Sequence, residues 1–493
     1  MNNIYNKYYF YINGLIIFIC AAITFNGYLF FSKNYFQIGF PLDDAWIHQT
    51  FARNIALRFE WAFLPGYPTS GSTSPLWTVI LSLGYILKIP YLFWTYFVGF
   101  IVLFSQAIFG DLLFRNLTSP GKPSFPWVGI FLIGEWHFVW AAASGMETLL
   151  LGSFFMVVFY NLSNSHPRYF LIGILCGASI WVRPEGITLL GPVLFWMIIT
   201  NRQFKLIVPN LIIFLTGFFI IFIPYLLFNI ILSGSLWPNT LYAKQAEYVS
   251  VLNKPFIDRL LSLLILPFIG AGALIFPGIF FLIKHNDLKV KLFCLTIGIW
   301  WLGFNIGFSL FLPLPYQHGR YVIPSMPVIY LLCLSGFSIF FSIPIVSSIC
   351  RRVFNRVWLF SILSVWAIFY FLGAKSYSRD VAIIETENVV AAKWIIKNTK
   401  QEDIIAAHDI GALGYFGERK IIDLAGLISP EVIPIIRDEA LLEKYLDRES
   451  ADYLIIFPSW YPQLSHKGKM INTTKGTYSP LLGGENLEIY QWD

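Results

Sequence analysis

The sequence FYINGLIIFICAAITFNGYLFF, residues 10–31, is followed by a polar stretch that contains PLDDAWIH, residues 41–48. The first segment carries no charged side chain and is long enough to cross the hydrocarbon core of a bilayer as one helix. Because no small-residue cleavage site clearly follows it, we interpret it as a membrane-spanning helix and not as a removed signal peptide. The acidic pair Asp43-Asp44 then lies just outside the membrane.

The composition extends this interpretation to most of the chain. Of the 493 residues, 57% are hydrophobic and 13% are charged, and the mean hydropathy is +0.64. Apolar runs of spanning or near-spanning length begin near Phe10, Phe93, Trp127, Thr148, Tyr169, Ile187, Leu206, Ile257, Leu292, Tyr321 and Val357. They predict about eleven transmembrane helices. The net charge of +6 comes from short basic clusters between these runs, so nucleic acid is not an expected partner.

The distribution of Lys and Arg predicts the orientation. If the N-terminus is cytoplasmic, every predicted intracellular turn is basic, as the positive-inside rule requires. This arrangement treats the short apolar stretch Pro75 to Leu87 as interfacial or re-entrant, because counting it as a span would invert the sidedness of the segments after it. Residues of about 32–92 then form the first external loop, with interfacial helices.

The composition changes sharply near residue 375. Charged residues there alternate with short apolar strands such as Ile404 to Ala407, Ile421 to Leu424 and Tyr453 to Phe457, which predicts a small soluble α/β domain. We therefore divide the chain into a transmembrane domain, residues 1–374, and an extracytoplasmic domain, residues 375–493.

Asp43 and Asp44 are the strongest candidates for a chemical role. Two adjacent carboxylates disfavour each other's ionisation, so either one has a raised pKa or both are balanced by a cation. Such a group can take a proton from a hydroxyl. The alternative is structural, because Ile47, Phe51 and Ile55 predict an amphipathic surface helix whose first turn the pair would cap and charge. The spacing alone favours neither interpretation.

Further polar motifs fall in the predicted external segments. They are His48, the hydroxyl run Ser72, Thr73 and Ser74, the acid Glu147, the pair Arg183 and Glu185, the loop residues Asn239, Tyr242 and Lys244, and the turn residues His318 and Arg320. Each has a structural alternative as a helix cap, a helix-dipole partner or an ion pair. The basic residues among them lie where topology does not require positive charge. We therefore predict an anionic ligand, either a lipid-linked phosphate or the headgroups of membrane lipids.

Taken in order, six motifs resemble a known superfamily. They are Asp43-Asp44-Ala45-Trp46-Ile47, Gly71-Ser72-Thr73-Ser74-Pro75-Leu76-Trp77, Ser144-Gly145-Met146-Glu147-Thr148, Arg183-Pro184-Glu185-Gly186, Pro238-Asn239-Thr240-Leu241-Tyr242-Ala243-Lys244 and Arg320-Tyr321. This set resembles the GT-C superfamily of polyprenyl-phosphate-sugar glycosyltransferases, in particular the mycobacterial terminal arabinofuranosyltransferase group and its uncharacterised bacterial relatives. The resemblance covers most of the chain. It implies an α-helical polytopic membrane protein of GT-C type with a small C-terminal extracytoplasmic α/β domain.

The resemblance also implies a reaction. A sugar would pass, with inversion, from a polyprenyl-phosphate carrier to a hydroxyl of a cell-envelope glycan or glycolipid at the outer face of the bacterial cytoplasmic membrane. Asp43 or Asp44 matches the acidic general base of the first external loop. No organic cofactor is expected. Whether a divalent cation is bound is left open, since Asp43, Asp44 and Glu147 offer oxygen ligands. The expected partners are the lipid-linked donor, the acceptor and membrane lipids.

Several alternatives stay open. Other members of the superfamily transfer to protein or to lipid A. A transporter or flippase for a lipid-linked sugar would place charged residues along a path through the bilayer, and a silent scaffold would only display its C-terminal domain. In that domain, the segment that begins at His408-Asp409 and the aromatic residues Trp460 and Tyr461 are open to contact with an acceptor glycan, although a simple glycine turn is favoured.

Overall fold

A computed structural model describes residues 2–118, 124–200, 204–342 and 349–492. The chain is helical up to its C-terminal domain. The helices are α1 (Asn2–Tyr35), α2 (Asp44–Arg58), α3 (Pro75–Ile86), α4 (Tyr91–Thr118), α5 (Trp127–Gly134), α6 (Trp136–Ala143), α7 (Thr148–Ser163), α8 (Tyr169–Val182), α9 (Leu190–Thr200), α10 (Phe204–Ser233), α11 (Asn239–Glu247), α12 (Phe256–Leu264), α13 (Ala271–Ile275), α14 (Leu288–Phe311), α15 (Tyr316–Gly319), α16 (Met326–Ser342) and α17 (Ile349–Thr386). Short 3₁₀ segments lie at Pro184–Leu189, Val249–Asn253, Leu266–Phe268, Phe276–Lys284 and Ile323–Ser325.

All of the predicted apolar runs coincide with helices, but fewer helices than predicted are full-length spans. Within the described ranges, six are long and apolar enough to cross a membrane, or seven if a bent pair, Phe256–Phe268 with Ala271–Lys284, is one span. The remaining runs form apolar helices of 10–17 residues or the broken pair α5 and α6. The prediction of about eleven spans counted apolar length, which does not show where a helix breaks. The long apolar helices indicate an integral membrane protein.

The break between α5 and α6 is occupied by Glu135. Its backbone is extended (φ −69°, ψ 121°), and its side chain accepts a hydrogen bond from the His137 backbone N–H at 3.0 Å. The second carboxylate oxygen lies 2.8 Å from His137 Nδ1. Both side chains are buried, and their hydrogen bonds hold the chain where the helix is interrupted, while His137 Nε2 has no partner within the described residues.

The first external loop of the prediction contains two helices, α2 and α3, and a hairpin of two strands, β1 (Ala62–Leu64) and β2 (Tyr67–Pro68). The predicted interfacial segment forms α3, which has 12 residues and is shorter than a bilayer-crossing helix. Helix α2 is not the surface helix that the alternative for Asp43 and Asp44 required. Nine of its residues, from Ala45 to Asn54, are buried, because α3, the hairpin and the C-terminal domain pack around it.

The C-terminal domain is a five-stranded mixed sheet with short helices. Its strands are β3 (Ile404–Ala407), β4 (Lys420–Asp423), β5 (Tyr453–Ile456), β6 (Lys469–Thr473) and β7 (Glu488–Gln491), in the order β4-β3-β5-β7-β6. Strand β3 is parallel to β4 and β5, whereas β7 is antiparallel to β5 and β6. The other elements are α18 (Asn388–Asn398), α19 (Glu439–Arg448), α20 (Pro462–Ser465), α21 (Tyr478–Leu481), a π-helical turn at Leu413–Gly417 and 3₁₀ turns at Pro430–Ile435 and Pro458–Trp460. Helix α17 continues through residue 374, so the division at that point stays a prediction.

Alternate residues of the sheet belong to different hydrophobic cores. In β3, Ile405 and Ala407 join the large core that includes the membrane helices, whereas Ala406 joins a smaller core with Leu442 and Leu446 of α19. Side chains alternate between the two faces of a strand. One face of the sheet is therefore packed against the membrane domain, and burial of apolar surface holds the two parts together.

Helix α2 is joined to the C-terminal domain at both of its ends. The Asp43 carboxylate accepts hydrogen bonds from the backbone N–H groups of Gly411, at 2.6 Å, and Ala412, at 2.9 Å. Three helical turns later, Arg53 Nη1 donates to the carbonyl oxygen of Tyr415 at 2.8 Å. Between these contacts, the Trp46 ring packs on Tyr415 with centroids 5.0 Å apart. The carboxylate and the guanidinium thus bind the two ends of one short turn, residues 411–415.

Substitution of Gly411 tests the contact between Asp43 and the C-terminal domain. A Cβ atom at Gly411 would lie 2.0 Å from the Asp43 carbonyl oxygen, so Gly411→Ala must displace backbone, and we expect a loss of roughly 1–3 kcal/mol of stability. Gly417→Ala, in the same segment, is the matched control because its nearest neighbour would be Ile395 at 3.9 Å. Thermal unfolding and limited proteolysis in detergent compare the two. Equal stability of the two variants would contradict the docking contact.

Candidate functional site

The acidic pair lies in a cavity of about 230 Å³ between the membrane domain and the C-terminal domain. One wall is formed by residues 41–47 and by the turn at residues 317–321, a second by α11, and a third by residues 408–410 and Trp460 of the C-terminal domain. The predicted site residues Asp43, Asp44, Lys244, His318 and Arg320 all line it. The structure therefore brings together motifs that lie more than 270 residues apart in the sequence.

Asp44 is held between two cations. Its Oδ2 atom lies 2.6 Å from Arg320 Nη2 and 3.3 Å from Lys244 Nζ. Burial raises the pKa of Asp44, but Lys244 and Arg320 outweigh this effect and hold the pKa well below its usual range. Asp44 is thus a permanently ionised partner of the two basic side chains.

Arg320 has hydrogen-bond donors that no described residue uses. The side chain is 6% exposed, and Nη2 donates to the Tyr321 hydroxyl at 3.0 Å as well as facing Asp44. Its Nε and Nη1 atoms are buried and have no partner within the described ranges. Because an unpaired buried donor costs roughly 1–3 kcal/mol, and more when it is charged, these two N–H groups are suited to an anionic ligand in the cavity.

The turn before Arg320 is strained. Gln317 (φ 51°) and His318 (φ 59°) both have left-handed backbone conformations, which side chains other than glycine rarely adopt. Each costs on the order of 1–3 kcal/mol, and such strain clusters at functional sites. The turn is fixed by a contact with α17, since His318 Nε2 lies 2.8 Å from Asp380 Oδ2. Trp140 Nε1 donates to the same oxygen at 2.9 Å.

The Tyr321 ring lies among three cations. The guanidinium carbons of Arg183 and Arg320 are 5.2 Å and 5.0 Å from the ring centroid, and Lys244 Nζ is 5.8 Å from it. Cations within about 6 Å of an aromatic face are attracted by the ring quadrupole. The ring therefore stabilises three positive charges that would otherwise repel one another.

Asp43 differs from Asp44 in its partners. Its two oxygens accept N–H groups of Gly411 and Ala412, and no cation pairs with it within the described residues. Burial raises the pKa of Asp43 to about 8, the negative charge of Asp409 acts in the same direction, and the two N–H groups oppose the shift. A carboxylate offers about four lone-pair sites, so Asp43 can still accept a proton from a ligand in the cavity.

Glu147 organises a second polar cluster behind the cavity. It is fully buried, and its oxygens lie 3.2 Å from His48 Nε2 and 2.7 Å from Arg183 Nη1. Arg183 also binds Glu185 with two contacts, at 2.9 and 3.2 Å. His48 Nδ1 lies 3.3 Å from Ser72 Oγ. Burial raises the pKa of Glu147, but His48 and Arg183 outweigh it and hold the pKa below its usual range. Arg183 and Glu185 therefore form the ion pair that was the structural alternative for these two residues.

The remaining predicted residues lie at the margin of the site or away from it. Thr73 lines a small crevice next to the cavity, and Ser74 is buried at the start of α3 without acting as a side-chain cap. The backbone N–H of Asn239 donates to Ser70 Oγ at 3.1 Å. Tyr242 is 39% exposed and does not line the cavity. The structure does not bring Asn239 and Tyr242 to the acidic pair, because α11 turns Lys244 inward instead.

Several residues of the cavity wall were not among the predicted site residues. They include Glu247, Asp380, Trp140 and Tyr248, together with His408, Asp409 and Trp460, for which the sequence left contact with an acceptor glycan open. Glu247 lies three positions after Lys244 on α11, a spacing that places both on one helical face, and that signal was available. Asp380, in the long helix α17, belongs to no motif, so the sequence held no signal for it.

The carboxylates that could hold a divalent cation have separate partners. Asp43 binds backbone N–H groups, Asp44 binds cations and Glu147 binds His48 and Arg183. Among the residues that the structure describes, no three His, Cys, Asp or Glu side chains converge as metal ligands.

Comparison with known proteins shows which folds the structure is similar to. Residues 379–490 match a family model described as a domain of unknown function, DUF8728, and no curated protein matches the sequence. The structure is similar to ArnT from Cupriavidus metallidurans bound to undecaprenyl phosphate, with a TM-score of 0.62 and 13% identity over 97% of each chain.

Two further structures share this architecture. The oligosaccharyltransferase of Archaeoglobus fulgidus in its apo form aligns with a TM-score of 0.56 and 12% identity, over 90% of this chain and 69% of that one. The arabinofuranosyltransferase AftD from Mycobacteria aligns with a TM-score of 0.51 and 13% identity, over 96% of this chain and 41% of that one. The chain therefore has the GT-C fold, as the sequence predicted. The comparison does not single out the arabinofuranosyltransferases.

Glu147 and Glu185 both bind Arg183 but differ in burial. Substituting each of them tests how much the buried ion pair contributes to stability. Glu147→Gln leaves His48 and Arg183 facing a neutral amide in a buried site, and we expect it to cost roughly 3–5 kcal/mol of stability. Glu185 binds the same guanidinium but is 18% exposed, so Glu185→Gln is expected to cost about 1 kcal/mol or less. Thermal unfolding in detergent measures both, and similar shifts for the two variants would contradict the assigned role of Glu147.

Proposed function

We propose that this protein is a membrane glycosyltransferase that moves a sugar from a polyprenyl-phosphate carrier to a hydroxyl of a cell-envelope glycan or glycolipid. The observation that carries the proposal is the pair of unpartnered, buried N–H groups of Arg320 beside the acidic pair. The GT-C fold supports it, as does the likeness to ArnT, whose structure contains undecaprenyl phosphate. The basic turns of the sequence favour an orientation with the N-terminus in the cytoplasm and this cavity at the outer face of a bacterial cytoplasmic membrane.

The donor phosphate binds at the cationic wall. The free Nε and Nη1 of Arg320 grip its oxygens, and Lys244 adds a point charge. Arg183 and His318 are positioning residues, since Arg183 is paired with Glu147 and Glu185 and His318 contacts Asp380. Charge that develops on the leaving phosphate is stabilised by groups already in place within a partly enclosed cavity.

Asp43 is the base of this reaction, and Asp44 is not. Asp44 already neutralises Lys244 and Arg320, whereas Asp43 has a pKa of about 8, near the value that serves a general base. The acceptor oxygen forms a bond to the anomeric carbon while the bond from that carbon to the phosphate oxygen breaks. The electron pair stays on the phosphate, and the hydroxyl proton passes to Asp43. Attack opposite the phosphate inverts the anomeric configuration.

A reconstituted assay tests the function. The protein in nanodiscs is incubated with a panel of polyprenyl-phosphate sugars and a cell-envelope acceptor extract, and release of polyprenyl phosphate is measured. We expect one donor to react and Asp43→Asn to lower the rate about 100-fold or more. Asp44→Asn keeps Asp43 as the base and removes only the counter-charge of Lys244 and Arg320, so we expect a smaller loss of rate than for Asp43→Asn. Asp258→Asn, an exposed acid of α12, is the matched control, and thermal unfolding shows that each variant is folded.

Two results would oppose the proposal. If no donor reacts but lipid-linked sugar crosses the membrane of proteoliposomes, and the Asn variants still move it, the protein is a transporter. If neither transfer nor transport occurs and the Asn variants behave as the wild type, the scaffold alternative holds. Transfer to protein or to lipid A would keep the reaction and change only the acceptor.

The pH profile of transfer identifies the base. Because the ionised form of Asp43 accepts the proton and its pKa is raised to about 8, kcat/KM is expected to rise with pH and to level off above about 8. The negative charge of Asp409 contributes to that shift, so Asp409→Asn is expected to move the rise to lower pH. A profile that is flat from pH 5 to 9 would exclude Asp43 as the base.

A further inference from the structure

One wall of the cavity is not used by the proposed donor chemistry. It is formed by His408, Asp409 and Trp460 of the C-terminal domain and by Glu247 at the end of α11. Within it, His408 Nε2 lies 3.5 Å from Glu247 Oε1, and His408 Nδ1 lies 2.7 Å from the Tyr461 hydroxyl. The imidazole is therefore fixed by partners on both of its nitrogens.

Trp460 lines the cavity and is exposed, whereas the next residue in the chain is buried. It is 51% exposed, whereas Tyr461 beside it is 6% exposed. The Trp460 ring contacts His408 and Phe457, with centroids 5.0 and 4.9 Å away. Its turn is anchored because the Ser459 backbone N–H donates to Glu485 at 2.9 Å. An exposed indole on a fixed turn is a preorganised apolar platform.

The charge on this wall is opposite to that of the donor wall. Glu247 and Asp409 face the cavity with His408 as their nearby cation, whereas Lys244 and Arg320 form the other side. Burial lowers the pKa of His408, but Glu247 and Asp409 outweigh this effect and raise it to about 9, so His408 and Glu247 form an ion pair at neutral pH. Such a wall repels a phosphate and offers donors and acceptors to hydroxyl groups.

We propose that the C-terminal domain forms the acceptor subsite, in which a neutral saccharide stacks on Trp460 and hydrogen-bonds to the His408 and Glu247 pair. This inference rests on the proposed glycosyltransferase function. It assigns to the segment 379–490, which matches a domain of unknown function, the binding of a sugar without phosphate groups. Lys244 and Glu247, three residues apart on α11, set the donor and acceptor sides next to each other.

The experiment separates acceptor binding from donor use. The protein in nanodiscs free of sugar-headed detergents is given the reacting donor and a panel of neutral gluco-, manno-, galacto- and arabino-configured oligosaccharides. Transfer and donor hydrolysis by water are measured separately. For Trp460→Ala we expect the acceptor KM to rise at least about tenfold, with the donor KM and the hydrolysis rate changed by less than about twofold. Trp460→Phe, which keeps an aromatic ring, should recover part of the loss.

Leu481→Ala is the matched control, because Leu481 is a 78% exposed apolar residue of the same domain and does not line the cavity. An acceptor KM in Trp460→Ala equal to that of Leu481→Ala overturns the inference, and so does a preference for phosphorylated acceptors. If the wild type uses no donor, the proposed function fails, and saturation-transfer NMR with the same oligosaccharides then decides the subsite. Saccharide signals that are present with the wild type and absent with Trp460→Ala support the acceptor subsite. The absence of saccharide signals with the wild type overturns it.

Discussion

Two backbone N–H groups of the C-terminal domain, those of Gly411 and Ala412, hold the Asp43 carboxylate, and the geometry of the cavity depends on this contact. Without it, the Asp43 carboxylate would lose both of its hydrogen bonds, whereas Asp44 would keep its contacts with Lys244 and Arg320. With it, the start of α2 is fixed to the C-terminal domain, and Arg53 secures the other end of the same turn through the Tyr415 carbonyl. The close approach is possible because residue 411 is glycine, since a Cβ atom there would overlap the Asp43 backbone. The domain and the carboxylate therefore position each other.

Charge separation inside a partly dry cavity results from that docking. Lys244, Arg320 and Asp44 form a group on one side that is stabilised by the Tyr321 ring. Interactions between charges are stronger here than in water, because the surrounding medium screens them less. The strained turn at Gln317 and His318 is compatible with this environment only because Asp380 and Trp140 hold it from behind. Strain and unpaired donors thus coincide at one place, next to Arg320.

Helix positions and the clustering of the polar motifs could be predicted from the sequence, because both depend on local patterns. The apolar runs form helices, and Lys244 and Arg320 contact one acid of the pair, Asp44. The number of full-length spans could not be predicted, since the break at Glu135 depends on its hydrogen bonds to His137. Asp380 could not be predicted because its partners His318 and Trp140 are distant in sequence. Glu247 could have been predicted from its spacing to Lys244. Tyr242 points away from the site through the rotation of α11, which no motif specifies.

Asp43 and Asp44 are adjacent in sequence, yet they face different partners. Asp44 is bound to cations of the membrane domain, whereas Asp43 is bound to backbone groups of the C-terminal domain. A plain pair of neighbouring carboxylates would share one environment and raise each other's pKa. Here the environments differ, so the pKa of Asp44 is lowered while that of Asp43 rises to about 8. Two acids with opposite shifts can thus supply a fixed counter-charge and a proton acceptor from a single dipeptide, as the proposed transfer from a phosphate carrier to a hydroxyl requires.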